Sequence, residues 1–146
     1  MSKAARAIII HKEKILVMHR DKYGVKYFTL VGGRLNEGET LDQALIREIK
    51  EETGLNIVKS RLVFIEEHAA PYNEQYIYLC DIDGDSSVAL QDSSEEAMLN
   101  NLGLTTHRPM WVDIKSFSTL PFRTIQLQEA ILNSLKNGFP DKPQNI

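Results

Sequence analysis

The chain has 146 residues, 42% of them apolar and 25% charged, with a formal net charge of -3 and a single cysteine, Cys80. That length suits one domain with one substantial core, the negative balance offers no basic face for a nucleic-acid backbone, and no disulfide can form within the chain. The longest apolar run near the N-terminus, Ala7 to Ile10, is too short for a signal-peptide core or a membrane span, so a cytoplasmic protein without membrane contact is expected.

In chain order, Ala5 to Ile10 and Ile15 to His19 predict a hairpin joined through His11 to Lys14. Tyr27 to Val31 predicts a third strand that runs into Gly32 and Gly33, where missing side chains let the backbone pass close to a metal or phosphate. Arg20, Lys22, Lys26 and Arg34 flank this glycine pair; Arg20, Lys26 and Arg34 are candidate contacts for substrate phosphates. Thr40 and Gln43 form a capping box and Gly54 suits a left-handed cap, which bounds a helix from Leu41 to Thr53.

Strands follow at Ile57 to His68, at Tyr76 to Asp83 with Cys80 as a small core residue, and at Pro109 to Ile114 with Trp111 as a core anchor. A helix from Thr124 to Lys136 puts Leu127, Ile131, Leu132 and Leu135 on one side. Strands mixed with two main helices predict an α+β fold, a sheet covered on both faces. Residues 1–136 read as the single domain and Asn137 to Ile146, with Gly138, Pro140 and Pro143, as a loose tail.

The first helix breaks a local rule. Leu41, Ala44 and Leu45 form its inward stripe, and the same stripe continues as Glu48, Glu51 and Glu52. Those acids fall in the last two turns, where the helix carbonyls favour cations by roughly 0.3 to 1 kcal/mol each. A hard divalent cation with oxygen ligands supplies the missing compensation. The four histidines are scattered without ligand spacing, so no zinc site is implied.

The stretch Gly33 to Leu55, GRLNEGETLDQALIREIKEETGL, resembles the Nudix hydrolase signature G-x5-E-x7-R-E-U-x-E-E-x-G-U, with U an aliphatic residue. Gly33, Glu39, Arg47, Glu48, Ile49, Glu51, Glu52, Gly54 and Leu55 meet every fixed position. The resemblance implies the Nudix α/β/α sandwich, with a mixed sheet between helices, and a Mg2+- or Mn2+-dependent attack of water on a phosphorus of a diphosphate. It implies Glu51 and Glu52 as metal ligands, with Glu48 as a further ligand or as the base, and the Gly32 carbonyl as an extra oxygen ligand. Clustered carboxylates share metals, waters and protons, so base and ligand stay interchangeable at this stage.

Arg47 reads as an ion-pairing scaffold that points away from the stripe and holds the loop bearing Glu39 onto the helix, with Gly33 and Gly54 supporting the site. Relatives often add a carboxylate from a late loop; DSSEE offers Asp92, Glu95 and Glu96, with Glu96 or Glu95 the choice. Pro71 and Tyr72 match two conflicting subfamily markers, proline for ADP-ribose pyrophosphatases and tyrosine for dinucleoside polyphosphate hydrolases; Tyr72 is also a candidate for stacking on a base.

The implied substrate is a small nucleotide: a nucleoside diphosphate linked to another moiety, nucleoside triphosphates and modified dNTPs included. Relatives are commonly homodimers. Two alternatives belong to other classes, a nucleotide sensor without turnover and an RNA 5'-end pyrophosphohydrolase. The intact acidic set argues against the first and the negative net charge against the second.

Overall fold

The computed structural model describes residues 2–68, 74–84 and 105–146. Its first strands, β1 (Lys3–His11) and β2 (Lys14–Lys22), meet in the expected hairpin, with Lys12 and Glu13 at positive φ in the turn. They pair only at Ile10↔Ile15 and His11↔Lys14 and then part. β2 continues antiparallel between β3 (Val25–Thr29) and β7 (Thr105–Asp113). β1 continues between β4 (Val31–Arg34), antiparallel, and β6 (Glu74–Ile82), parallel. β5 (Ile57–Glu67) lies antiparallel on the far side of β6.

The mixed sheet is covered on both faces, because β1 is apolar on both, as a strand buried on two sides must be. Ala5, Ala7 and Ile9 pack with Leu45 and Ile49 of α1 (Leu41–Thr53). Ile8 packs to the other side with Phe64, Ile77 and Phe117, and with Leu127 and Ile131 of α2 (Ile125–Asn137). Each fully buried aliphatic contributes about 1.5 to 3 kcal/mol, so the two helix-covered cores fix β1 as the shared layer. Cys80 lies buried in the first of these cores, and Trp111 packs at its margin, partly exposed. Among the described residues no helix is long and apolar enough to cross a membrane.

Helix α1 ends where its sequence says. Gln43 N–H donates to Thr40 Oγ1 at 3.2 Å, Thr40 N–H donates to Gln43 Oε1 at 2.9 Å, and Gly54 closes the helix at φ 79°. α2 starts on Thr124, whose hydroxyl accepts the Leu127 N–H at 3.1 Å.

Two expectations need correction. The third strand is broken at Leu30: Val25–Thr29 stays with β2, while Leu30 is buried in the α2-side core and Val31–Arg34 crosses to β1. A continuous apolar run hides such a change of partner, since the pattern on each side of the break is unaltered. The C-terminal residues are not loose. Gln144–Asn145 form β8, parallel to β5 at Phe64↔Gln144 and Ile65↔Asn145, and Ile146 N–H donates to Ile65 O at 3.0 Å. The Arg61 guanidinium donates to the Pro140 carbonyl, and Phe139 and Ile146 pack on the α2-side core. Glycine and prolines end the helix, but the unpaired edge of β5 then recruits the segment, an edge-strand requirement that composition does not reveal.

Deletion of residues 139–146 should therefore cost about 2 to 3 kcal/mol of apolar burial and lower the thermal midpoint by roughly 5 to 10 °C. An unchanged midpoint in a calorimetric scan would show that this strap contributes nothing.

Candidate active site

The acidic end of α1 lies against β4, and the contact explains both glycines. The Gly32 N–H donates to Glu52 Oε2 at 3.2 Å, and Glu52 is wholly buried. A Cβ on Gly33 would sit 2.5 to 2.7 Å from the carboxylate atoms of Glu48, itself only 9% exposed. Gly32 has φ 131°, and a Cβ there would strike the backbone of Ala5 and Arg6 on β1. The pair forms strand rather than turn, and its missing side chains admit two helix carboxylates and a neighbouring strand.

Arg47 binds the site together. Its Nε and Nη2 donate to the two oxygens of Glu39 at 2.7 and 2.9 Å, a bidentate fork, and Nη2 also donates to the Arg34 carbonyl at 3.1 Å. The Glu39 loop is thus pinned to the helix, and Glu39 Oε1 accepts the Asn36 N–H at 2.8 Å. The Arg47 guanidinium, helped by that Asn36 N–H, holds the Glu39 carboxyl down at about 2. Arg47 does not point away from the acidic stripe, however. Its Nη1 donates to Glu48 Oε1 at 2.9 Å and to Glu51 Oε2 at 3.2 Å. One planar cation therefore makes five hydrogen bonds to three carboxylates and a carbonyl, and its bidentate fork on Glu39 is one that a lysine lacks.

The donor set is all oxygen, which suits a hard divalent ion, and Gly33 leaves room beside Glu48 that any side chain would fill. Among the described residues no three His, Cys, Asp or Glu side chains converge as ligands, because Glu48 and Glu51 turn toward Arg47. By donor chemistry these residues fit a divalent cation, with Arg47 as the counter-charge already in place.

Other candidates are spread out. Arg20 on β2 faces Tyr27 and His107 across its neighbours and donates from Nε to Thr29 Oγ1 at 2.8 Å, while exposed Lys26 sits opposite Asp21. Both belong to the half of the sheet that pairs with β7, not to the glycine strand. Arg34 meets the site through its carbonyl, with its side chain exposed. Pro71, Tyr72, Asp92, Glu95 and Glu96 lie outside the described residues.

Sequence reasoning missed Arg6, whose signal is a charge set between alanines inside the apolar part of its strand. Its Nη1 donates to the Gly32 carbonyl at 2.8 Å and its Nε to Gln75 Oε1 at 3.1 Å. Arg6 also lines a cavity of about 310 Å³ together with Leu30, Glu66, Ile77, Thr124 and Leu127. Gly32 thus meets the helix acids through its N–H and the cavity wall through its carbonyl. Arg123 stacks on Tyr27 at 3.9 Å, beside the same cavity.

Residues 1–129 match the model of the NUDIX domain. This chain belongs to the NUDIX family. Members of the family generally need a divalent cation. A Bacillus subtilis (strain 168) protein whose name carries a provisional 8-oxo-dGTP diphosphatase assignment is 28% identical over 140 residues, 96% of this chain and 83% of that protein. The ADP-ribose pyrophosphatase of Methanocaldococcus jannaschii is 38% identical over 106 residues, 68% of this chain and 63% of that enzyme. A crystal structure of a nudix hydrolase family member from Chromobacterium violaceum superposes with TM-score 0.62 at 30% identity, covering 94% of this chain and 77% of that one.

Two outcomes are expected, one at the NUDIX site and one in the β7 half of the sheet. Gly33→Ala should leave the thermal midpoint nearly unchanged, because the clash falls on the mobile end of Glu48, yet lower metal-dependent turnover at least about tenfold by displacing that carboxylate; normal turnover would show that the close approach is dispensable. His107 is buried, and burial, with Arg20 and Lys22 nearby, lowers its pKa from 6.5 to about 4. The unfolded chain takes up this proton first, so stability is complete above pH 6.5 and falls as the pH drops toward 4, by up to about 3 kcal/mol. His107→Gln should flatten that part of a denaturation-versus-pH curve, and an unaltered slope would contradict the assignment.

Proposed function

We propose that this chain, a NUDIX pyrophosphohydrolase, cleaves the diphosphate of a nucleoside triphosphate or a related nucleoside diphosphate derivative, using Mg2+ or Mn2+ held by Glu48, Glu51 and Glu52, with the Gly32 carbonyl as a further ligand once it gives up its hydrogen bond from Arg6. The observation that carries this reading is the burial of Glu48 and Glu52 against Gly32 and Gly33, an arrangement of anions that stability alone would not select. Glu96 is the further ligand proposed from the late loop. When bound, the cation neutralises phosphate charge and lowers the pKa of the attacking water.

The protein's own groups do the rest. Glu48, where it acts as base rather than as ligand, would take the proton that the water loses as its oxygen bonds to phosphorus. The bridging oxygen leaves with the other phosphate. Arg47 keeps the acids aimed, since its guanidinium forks onto Glu39 and donates to Glu48 and Glu51 as well. The cavity lined by Leu30, Ile77 and Leu127 takes the nucleoside, with Arg6 between it and Gly32. Relatives named for 8-oxo-dGTP and for ADP-ribose support a nucleotide diphosphate as the substrate class.

The test is chromatographic product analysis with a panel of NTPs, modified dNTPs, ADP-ribose and dinucleoside polyphosphates, with each metal. Glu52→Gln should lose at least about a hundredfold in turnover while keeping or raising its thermal midpoint, because the amide oxygen can still accept the Gly32 N–H and a buried charge is gone. Turnover near the parent level would overturn the metal site. Nucleotide binding without any cleavage would favour the sensor.

A further inference from the structure

We propose that Glu66 is a specificity-determining residue that accepts the N1–H and N2–H donors of a guanine-type base. This rests on the nucleoside site proposed above. Glu66 is 5% exposed, near the end of β5, and lines the cavity whose apolar wall is Leu30, Ile77 and Leu127. Two elements hold its carboxylate still: Oε2 accepts the hydroxyl of Thr124, the cap of α2, and Oε1 lies 3.2 Å from His68 Nε2. A carboxylate offers about four acceptor sites, so the group keeps capacity for two more donors beside these partners. Buried and fixed, it is preorganised for a ligand that donates.

Among bases, guanine presents two parallel N–H groups side by side, which match the two oxygens of a carboxylate. The N3–H of uracil or thymine is flanked by two carbonyl oxygens that would face the carboxylate and repel it. Adenine and cytosine place a ring-nitrogen lone pair next to their single amino group, with the same penalty. Oxidation of guanine at C8 leaves the N1 and N2 edge unaltered, so Glu66 would select guanine and its oxidised form alike.

The position is right for a base. Glu66 pairs across the sheet with Gln75, Gln75 Oε1 accepts from Arg6, and Arg6 donates to the Gly32 carbonyl. Glu66 and Gly32 are three strand spacings and two residues apart, roughly 15 Å between backbones. The Glu66 side chain, reaching in from one end, shortens this to the extent of a nucleotide, with its phosphates at the glycine strand.

The experiment compares kcat/KM of the parent protein for dGTP, for dITP, which differs only in lacking the 2-amino group, and for dATP and dTTP, then repeats it with Glu66→Gln. Losing one hydrogen bond to a charged partner should cost dITP about ten- to a hundredfold against dGTP. Glu66→Gln, which can still accept from Thr124, should bring the two within about threefold. Equal use of dGTP and dITP by the parent overturns the proposal, even when the variant does not fold. So does a folded variant that keeps the full dGTP preference, or dATP or dTTP cleaved as fast as dGTP; both leave the hydrolase reading standing. No cleavage of any nucleotide or of ADP-ribose would instead refute that reading, and the base assignment with it.

Discussion

The contact between the backbone of β4 and the carboxylates of α1 sets the terms for the rest of the molecule. Two acids are buried at the wrong end of a helix dipole, where each is unfavourable by a few tenths of a kcal/mol before any cost of burial. They are tolerated because Gly32 and Gly33 present only backbone, because the Gly32 N–H bonds Glu52, and because Arg47 spreads one charge over Glu39, Glu48 and Glu51. The short strand can lie there only because β1 holds it from the side, in register from Ala4↔Arg34 to Ala7↔Val31.

From this contact the division of labour across the sheet follows. α1 brings the acids to one face, while the cavity forms on the face covered by α2, and Gly32 belongs to both, through the N–H of the peptide before it and the carbonyl of the peptide after it. Arg6 is the link: its guanidinium fixes the Gly32 carbonyl and the Gln75 amide together. A substrate lying in the cavity would thus present its phosphates to the one strand that the acids touch.

Much of this was legible in the sequence because it depends on local chemistry. Thr40, Gln43 and Gly54 fix the ends of α1 through hydrogen bonds and a left-handed cap within a few residues, and the stripe of Leu45, Glu48 and Glu52 follows from helical geometry alone. What was hidden depends on partners distant along the chain. Nothing near Leu30 says that β4 must leave β2 for β1, and nothing near Gln144 announces the free edge of β5. A scaffold role for Arg47 toward Glu39 is legible in the sequence, but its bonds to Glu48 and Glu51 depend on rotamers that no pattern encodes. Arg6 and Glu66 become meaningful only when β6 brings their strands into one sheet.

The most direct test of the central claim is anomalous difference density from crystals of the protein grown with Mn2+. A peak is expected among the carboxylates of Glu48, Glu51 and Glu52, with Arg47 still on Glu39 but drawn off at least one of the helix acids, and with Arg6 drawn off the Gly32 carbonyl where that oxygen joins the ligands. A peak elsewhere, or none while Arg47 keeps all its present partners, would contradict that claim.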